Sequence, residues 1–347
     1  MRFIHLADVH LGAIPDKGCA WSSKRQEEIW ETFRKIIEGI RKNPVDMLLI
    51  AGDLFHRQPL LRELKEVNYL FSTIPDTRVY LIAGNHDYIR KDSRYRDFQW
   101  SENVLFFRSE SVRCVKDPLL DVYIYGFSYR HREIRENVLE GLQPDEGEGM
   151  HILLAHGGDD THVPLDVKAL SAAGFDYIAL GHIHKPDILL KNRAAFSGAP
   201  EPLDHTETGP HGYIEGKTVN GRLKISFVPA AMRSYETITL LLDEESTQGS
   251  LEEELKDRIL KNGADNLYQV LLEGTRSPDL MLIPEKLRML GNVLDVTDHS
   301  RPAYDLEVLR RQYHGTLAGD YLDYFADRDL SPVEEKALYY GIQALLG

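Results

Sequence analysis

Five short polar segments carry the residues best able to do chemistry: Asp8-x-His10, Gly52-Asp53, Gly84-Asn85-His86-Asp87, His156-Gly157-Gly158 and Gly181-His182-x-His184. Their side chains are carboxylates, imidazoles and a carboxamide, without a thiolate. That donor set suits divalent Mn, Fe or Zn rather than copper or an iron–sulfur cluster. The seven candidate ligands Asp8, His10, Asp53, Asn85, His156, His182 and His184 are too many for one ion. Two ions sharing Asp53 account for them, with Asp8, His10, Asp53 and His184 around the first and Asp53, Asn85, His156 and His182 around the second. Such a pair, about 3.5–4 Å apart, holds a bridging hydroxide and stabilises the attacking and leaving oxygens of a phosphoryl displacement.

Each segment follows one of six short apolar runs that read as buried strands. The runs are Phe3 to Ala7, Met47 to Ala51, Val79 to Ala83, Val122 to Gly126, His151 to Ala155 and Tyr177 to Leu180. Helical patterns alternate with them. Ser22 and Ser23 are N-cap candidates for a helix using Ile29, Trp30, Phe33, Ile36, Ile37 and Ile40, which Asn43-Pro44 stops. A second helix begins near Pro59 and uses Leu61, Leu64, Val67 and Phe71. Strand, loop and helix in this order imply right-handed crossovers and a layered α/β sandwich, with functional loops at the carboxyl ends of the strands. The glycines let the backbone turn sharply there.

Near residue 230 the pattern becomes alternating. Tyr213 to Val219 and Leu223 to Val228, joined by Asn220-Gly221, read as a hairpin closing the first domain. Beyond it, a strand at Thr237 to Leu242, a helix at Leu251 to Leu260, a strand at Leu267 to Leu272, a short helix near Pro284 to Met289 and a strand at Val293 to Val296 suggest a small α+β domain. From Tyr304 to Leu346 the chain reads as helix, broken at Ser331-Pro332, where Ser is a cap and Pro sits at N1. The expected domains are 1–232, 233–300 and 301–347.

The 347 residues carry 41 basic and 55 acidic groups, a formal charge of −14. The acidity is uneven: residues 1–100 hold 16 basic and 14 acidic groups, residues 241–347 hold 11 and 21. The catalytic third is therefore slightly positive before any cation is counted, and the charge does not exclude a nucleic-acid substrate. Two cysteines, Cys19 and Cys114, make no disulfide or zinc framework, and a cytoplasmic location without a signal peptide is expected. No apolar run approaches the roughly 20 residues needed to cross a bilayer.

In their order, the five segments resemble those of the calcineurin-like metallophosphoesterases, over about residues 1–230. Ala7-Asp8-Val9-His10-Leu11-Gly12 and Gly52-Asp53-Leu54-Phe55-His56 are similar to the DNA double-strand-break repair nucleases that include SbcD and the YhaO-type exonucleases. The resemblance implies a two-sheet α/β sandwich metallophosphoesterase core, a small α+β capping domain and a helical C-terminal tail. It also implies that His86 faces the scissile phosphate, stabilising the transition state or protonating the leaving oxygen, that Asp87 orients His86, and that His56 lies beside the substrate. Arg90, Lys91, Arg94 and Arg96, with Tyr95 and Trp100 among them, form a basic and aromatic segment suited to phosphates flanking the cut. The remaining histidines, among them His162, His205 and His211, read as packing or surface residues.

These readings lead to an expected metal-dependent DNA exonuclease, with single-strand endonuclease activity as an addition, using two divalent cations, manganese first. The alternative is a dimetal phosphoesterase acting on small nucleotide or lipid phosphodiesters. A protein Ser/Thr phosphatase is disfavoured, because Gly52-Asp53-Leu54-Phe55-His56-Arg57-Gln58 and Asp87 depart from that family's motifs. The expected partners are DNA ends, an SMC-like coiled-coil ATPase of the SbcC type docked by the tail, and a second copy of the chain in a homodimer.

Overall fold

The computed structural model describes residues 1–145, 147–326 and 328–346. The chain divides into two compact units, Met1–Tyr235 and Glu236–Gly347. The first unit contains, in chain order, β1 (Arg2–Leu6), α1 (Ser22–Lys42), β2 (Met47–Ala51), α2 (Leu61–Ser72), β3 (Arg78–Ile82), α3 (Arg94–Asp97), β4 (Val104–Phe106), β5 (Arg113–Asp117) and β6 (Val122–Gly126). It continues through β7 (Met150–His156), α4 (Val167–Ala173), β8 (Tyr177–Gly181), β9 (Asp187–Leu190), β10 (Ala194–Phe196), β11 (Gly212–Val219) and β12 (Arg222–Pro229).

These strands form two six-stranded sheets, ordered β12-β11-β1-β2-β3-β4 and β5-β6-β7-β8-β10-β9. The central strands β1, β2, β3 and β4 run parallel, as do β6, β7, β8 and β10. All the parallel carboxyl ends in a sheet therefore lie at one edge. Period-two alternation explains the layering. Met47 and Leu49 of β2 join Phe3, Ile152, Leu154 and Tyr177 in a core between the sheets. Leu48 and Ile50 face the other way, into a cluster with Ile29, Phe33, Leu64 and Phe71 of α1 and α2. A third cluster, including Leu153, Ile178, Leu180 and Leu170, covers the outer face of the second sheet. The α/β sandwich follows from central strands, such as β2 and β8, that are apolar on both faces.

Local details differ from expectation. The Ser22 hydroxyl donates to the Pro15 carbonyl instead of capping α1, and the N-cap position is Trp21 without a side-chain bond. Leu61 is exposed, while Leu64, Val67 and Phe71 of α2 are buried. The hairpin β11–β12 pairs antiparallel with β1 and closes the first sheet, as Asn220-Gly221 predicted. The first unit extends to Tyr235 instead of ending at 232. Arg233 is buried against Glu28, and the Tyr235 hydroxyl donates to Asp16.

The second unit carries β13 (Tyr235–Leu242), which begins at the last residue of the first, followed by α5 (Gln248–Asn262), β14 (Leu267–Arg276), α6 (Pro284–Arg288), β15 (Val293–Asp298) and β16 (Arg301–Pro302). Helices α7 (Leu306–Gln312), α8 (Leu317–Phe325) and α9 (Pro332–Leu346) follow. Its sheet packs Ile238, Leu240, Val270 and Leu272 on Leu251, Leu255 and Ile259 of α5. Leu322, Phe325, Leu338 and Ile342 make a separate small cluster among the terminal helices. The cap at Ser331 forms as expected, with its hydroxyl accepting from the Glu334 N–H. Among the described residues no helix is long and apolar enough to cross a membrane.

Candidate metal centre

Each candidate ligand leaves its strand within a few residues of the carboxyl end: Asp8 and His10 after β1, Asp53 after β2, Asn85 after β3, His156 as the last residue of β7, and His182 and His184 after β8. The first sheet thus supplies Asp8, His10, Asp53 and Asn85, and the second supplies the other three. Asp8, His10, Asp53 and His182 all lie at positive φ, between 48° and 97°. Such conformations are uncommon outside glycine, cost of order 1–3 kcal/mol each and cluster at functional sites. Two glycines permit close approach. A Cβ on Gly84 would collide with the Asp53 carboxylate, and one on Gly181 with the Ala51 carbonyl.

The side chains converge in the interior. His10 Nε2 lies 3.0 Å from His184 Nε2 and 3.8 Å from Asp53. His156 Nε2 lies 2.9 Å from Asn85 Oδ1 and 3.3 Å from Asp53. Ligand atoms of Asp8, His10 and His184 lie within 4.8 Å of one another, and so do those of Asp8, Asp53 and His156. Asp8, His10, Asp53 and His156 are buried. Among the described residues, no lysine or arginine pairs with Asp8 or Asp53. Two buried carboxylates without a lysine or arginine partner, faced by imidazole nitrogens and a carboxamide oxygen, fit divalent cations.

Electrostatics follow from this crowding. Burial pushes the Asp8 carboxyl up to about 6, against the pull of His156 and His184. Burial opposes ionisation of Asp53 too, but His156 and His10 outweigh it and hold that carboxyl well below its ordinary range. Burial holds His10 neutral, well below its usual value. His156 and His184 rise to about 9, because Asp53 on the one and Glu207 on the other outweigh burial. Cations entering at neutral pH must therefore displace protons from those two rings.

The histidines are oriented from behind. His156 Nδ1 donates to the Ala51 carbonyl at 2.9 Å, which leaves Nε2 facing inward, available to a cation once its proton is displaced. His86, half-buried, donates from Nδ1 to the His56 carbonyl at 3.1 Å, and its backbone N–H donates to Asp53 at 2.8 Å. His56 Nδ1 lies 3.2 Å from His10 Nδ1, and its ring tilts 5.0 Å from that of His86, so both join the cluster.

Two expectations need correction. Asp87 does not orient His86: it is buried and accepts from the Gly84 and Phe55 N–H groups at 2.8 and 3.2 Å, fixing the turn instead. Tyr95 offers no stacking surface beside Arg90, Lys91, Arg94 and Arg96, and Trp100 is partly buried. Tyr95 is fully buried and stacks on Phe106, and Trp100 packs on the same cluster. The four cations are exposed, with Arg90 paired to Asp92. His162, read as a packing or surface residue, is partly buried and shares Asp159 with His182.

Sequence reasoning missed Asp159 and Glu207. Asp159 Oδ2 lies 2.7 Å from His182 Nε2, and Glu207 Oε1 lies 2.6 Å from His184 Nδ1. Asp159 stands directly after His156-Gly157-Gly158, in a loop already singled out, so its position was a usable signal. Glu207 lies in a loop far along the chain from any motif, and no spacing pointed to it.

The calcineurin-like phosphoesterase family model matches residues 1–186. The chain is 29% identical over 309 residues to the uncharacterized metallophosphoesterase YhaO of Bacillus subtilis, covering 82% of this chain and 74% of that protein. It is 29% identical over 224 residues to the DNA double-strand break repair protein Mre11 of Methanocaldococcus jannaschii, covering 60% of this chain and 58% of that one. It is 24% identical to a subunit of the nuclease SbcCD of Staphylococcus epidermidis, across 100% of this chain and 99% of the relative. The chain thus spans only a little over half the length of the Mre11 relative. A family model covering more than half the chain, on a two-sheet sandwich with these candidate ligands at its strand ends, shows that the chain belongs to the calcineurin-like phosphoesterases.

Proposed function

We propose that this phosphoesterase is a metal-dependent DNA nuclease acting in double-strand-break repair, hydrolysing phosphodiester bonds at DNA ends. The observation that carries the chemistry is the convergence of buried Asp8 and Asp53 with His10, Asn85, His156 and His184, without a lysine or arginine counter-charge among the described residues. The DNA substrate is supported by the relatives named as DNA double-strand break repair proteins and as a nuclease subunit. Asp8, His10, Asp53 and His184 would hold one divalent cation and Asp53, Asn85, His156 and His182 the other, manganese being the first choice. When bound, the cations supply an activated water and neutralise charge on the phosphoryl oxygens.

The chain's own residues do the rest. His86 has its Nδ1 proton committed to the His56 carbonyl, so Nε2 is the atom left to hydrogen-bond the phosphate or pass a proton to the leaving oxygen. His56 stands beside it. Exposed Lys91 and Arg94, joined by Arg90 and Arg96, supply salt-sensitive contacts to flanking phosphates. We assign catalysis to the first unit, substrate capping to about residues 233–300 and partner docking to the terminal helices. Their Leu338 and Ile342 are buried in their own cluster while Tyr340 and Leu345 stay exposed, which suits a docking face for a coiled-coil ATPase.

The experiment is cleavage of end-labelled duplex and hairpin DNA beside turnover of a small phosphodiester, with manganese, at rising salt. DNA cleavage that collapses with salt while small-substrate turnover persists supports a nuclease. Turnover of the small ester with no DNA cleavage at low salt supports the nucleotide or lipid phosphoesterase instead.

A further inference from the structure

The two imidazoles of Gly181-His182-Ile183-His184 are both gripped by carboxylates from other loops. Glu207 Oε1 lies 2.6 Å from His184 Nδ1, while its Oε2 accepts the Leu203 N–H at 2.9 Å. Asp159 Oδ2 lies 2.7 Å from His182 Nε2, while Oδ1 accepts the Thr161 and His162 N–H groups at 2.7 and 2.8 Å. In each carboxylate one oxygen takes backbone donors and the other faces the ring, Asp159 Oδ2 lying also 3.0 Å from His162 Nδ1. The His184 ring presents Nε2 to His10, on the inner side of the centre. The His182 ring lies 5.3 Å from that of His156.

We propose that Glu207 and Asp159 are positioning residues that set which nitrogen each histidine offers to a cation: Nε2 of His184 and Nδ1 of His182. The proposal rests on the dimetal reading above. A carboxylate only accepts when ionised, so it fixes the ring proton on the nitrogen that faces it and leaves the opposite lone pair free for the metal. Each carboxylate serves a different histidine, and therefore a different one of the two cations.

The isosteric amides test this without emptying either loop. In Glu207→Gln and Asp159→Asn the amide oxygen is retained by the backbone N–H donors, which places the NH2 against the ring. An NH2 can only donate, so the ring proton must move to the inner nitrogen, and that nitrogen can no longer ligate. The measurement is manganese binding to the metal-stripped full chain, followed by the electron paramagnetic resonance of free Mn²⁺, with metal-free melting recorded in parallel. Wild type should take up two equivalents. Each variant should keep one and bind the other about 10–100-fold more weakly, with unchanged metal-free melting, and Glu207→Asp should recover part of the loss.

Two equivalents bound by both variants within twofold of wild-type affinity would overturn the proposal while leaving the dimetal reading intact. A third equivalent in wild type, lost in Asp159→Asn and His162→Ala alone, would make the Asp159 cluster a cation site in its own right and overturn the assignment of Asp159. Absence of manganese binding by wild type would remove the dimetal reading and this proposal together. If an amide variant melts early, the glutamate-to-aspartate change and a histidine-selective ¹⁵N spectrum of wild type loaded with diamagnetic zinc decide: metal on Nε2 of His184 and on Nδ1 of His182 supports the assignment, and metal on the opposite nitrogens overturns it.

Discussion

His10 and His184 turn their Nε2 atoms toward each other at 3.0 Å, one from each sheet of the sandwich. With His184 Nδ1 held by Glu207 and His10 kept neutral by burial, the gap between the rings is lined by nitrogen lone pairs once His184 gives up its proton. Asp8 is the third member of that group. A divalent cation resolves the arrangement better than a proton, because it satisfies both rings and the carboxylate together.

His86 is predicted to act after metal binding. His86→Ser should lower DNA cleavage by at least about 10²-fold, the ordinary scale of a general acid or base, while manganese stoichiometry stays at the wild-type value. Single-turnover cleavage with saturating manganese is the measurement. Cleavage within a few-fold of wild type in a clean preparation would remove His86 from the chemistry.

Gly84 is predicted to tolerate no side chain. Its φ is ordinary, but an added Cβ would meet the Asp53 carboxylate and also lie 2.7 Å from the Asp53 nitrogen. Gly84→Ala should displace Asp53 and weaken manganese binding, at a stability cost of about 1–3 kcal/mol. A manganese isotherm and a denaturant melt check both parts; wild-type values in both would contradict the close approach.

The fold and the strand-end positions of the candidate site were legible because the signals were local. Strands such as Met47–Ala51 are apolar on every residue, which marks burial on both faces, and Asn220-Gly221 encodes its own turn. The candidate ligands stand directly after those strands, so the strand ends were enough to pick them out. Tyr95 and Trp100 were misjudged because a basic segment looks like a nucleic-acid surface from composition alone, whereas their rings are drawn into the α2 and β4 core by burial. Glu207 was invisible for a different reason: its meaning depends on a loop returning to His184, and no periodicity encodes that return. The positive φ values of Asp8, His10 and Asp53 were likewise beyond local pattern, since propensity argues against them and only the finished site sustains them.

Stability should decline in acid through His5. Burial lowers this ring from its usual 6.5 to about 3, with a backbone partner at Leu180 opposing only in part. Between those values the unfolded chain carries a proton that the folded chain refuses. The contribution is therefore complete above about pH 6.5 and is lost as pH falls toward 3. At about pH 5 this ring alone amounts to about 2 kcal/mol. His5→Phe should flatten the slope of stability against pH across this window in denaturant melts; a slope equal to wild type would contradict the assignment.

Glu201 anchors a buried ionic network. It accepts from Arg25 at 3.0 Å, from the Thr32 hydroxyl at 2.6 Å and from the Met232 N–H at 2.5 Å. Arg25 is fully buried. Glu201→Ala takes one carboxylate from that guanidinium and should destabilise the first unit by about 3–5 kcal/mol. Calorimetry checks it, and a loss below about 1 kcal/mol would show that Glu28 alone suffices for Arg25.

Manganese-dependent cleavage of end-labelled duplex DNA by the full chain, measured beside manganese uptake for wild type and Asp53→Ala, tests the dimetal nuclease most directly. Wild type should bind two equivalents and cleave, whereas Asp53→Ala, lacking the carboxylate shared by both cations, should lose both uptake and cleavage. Undiminished cleavage by Asp53→Ala, or two bound equivalents with no cleavage of duplex or hairpin DNA, would contradict the account.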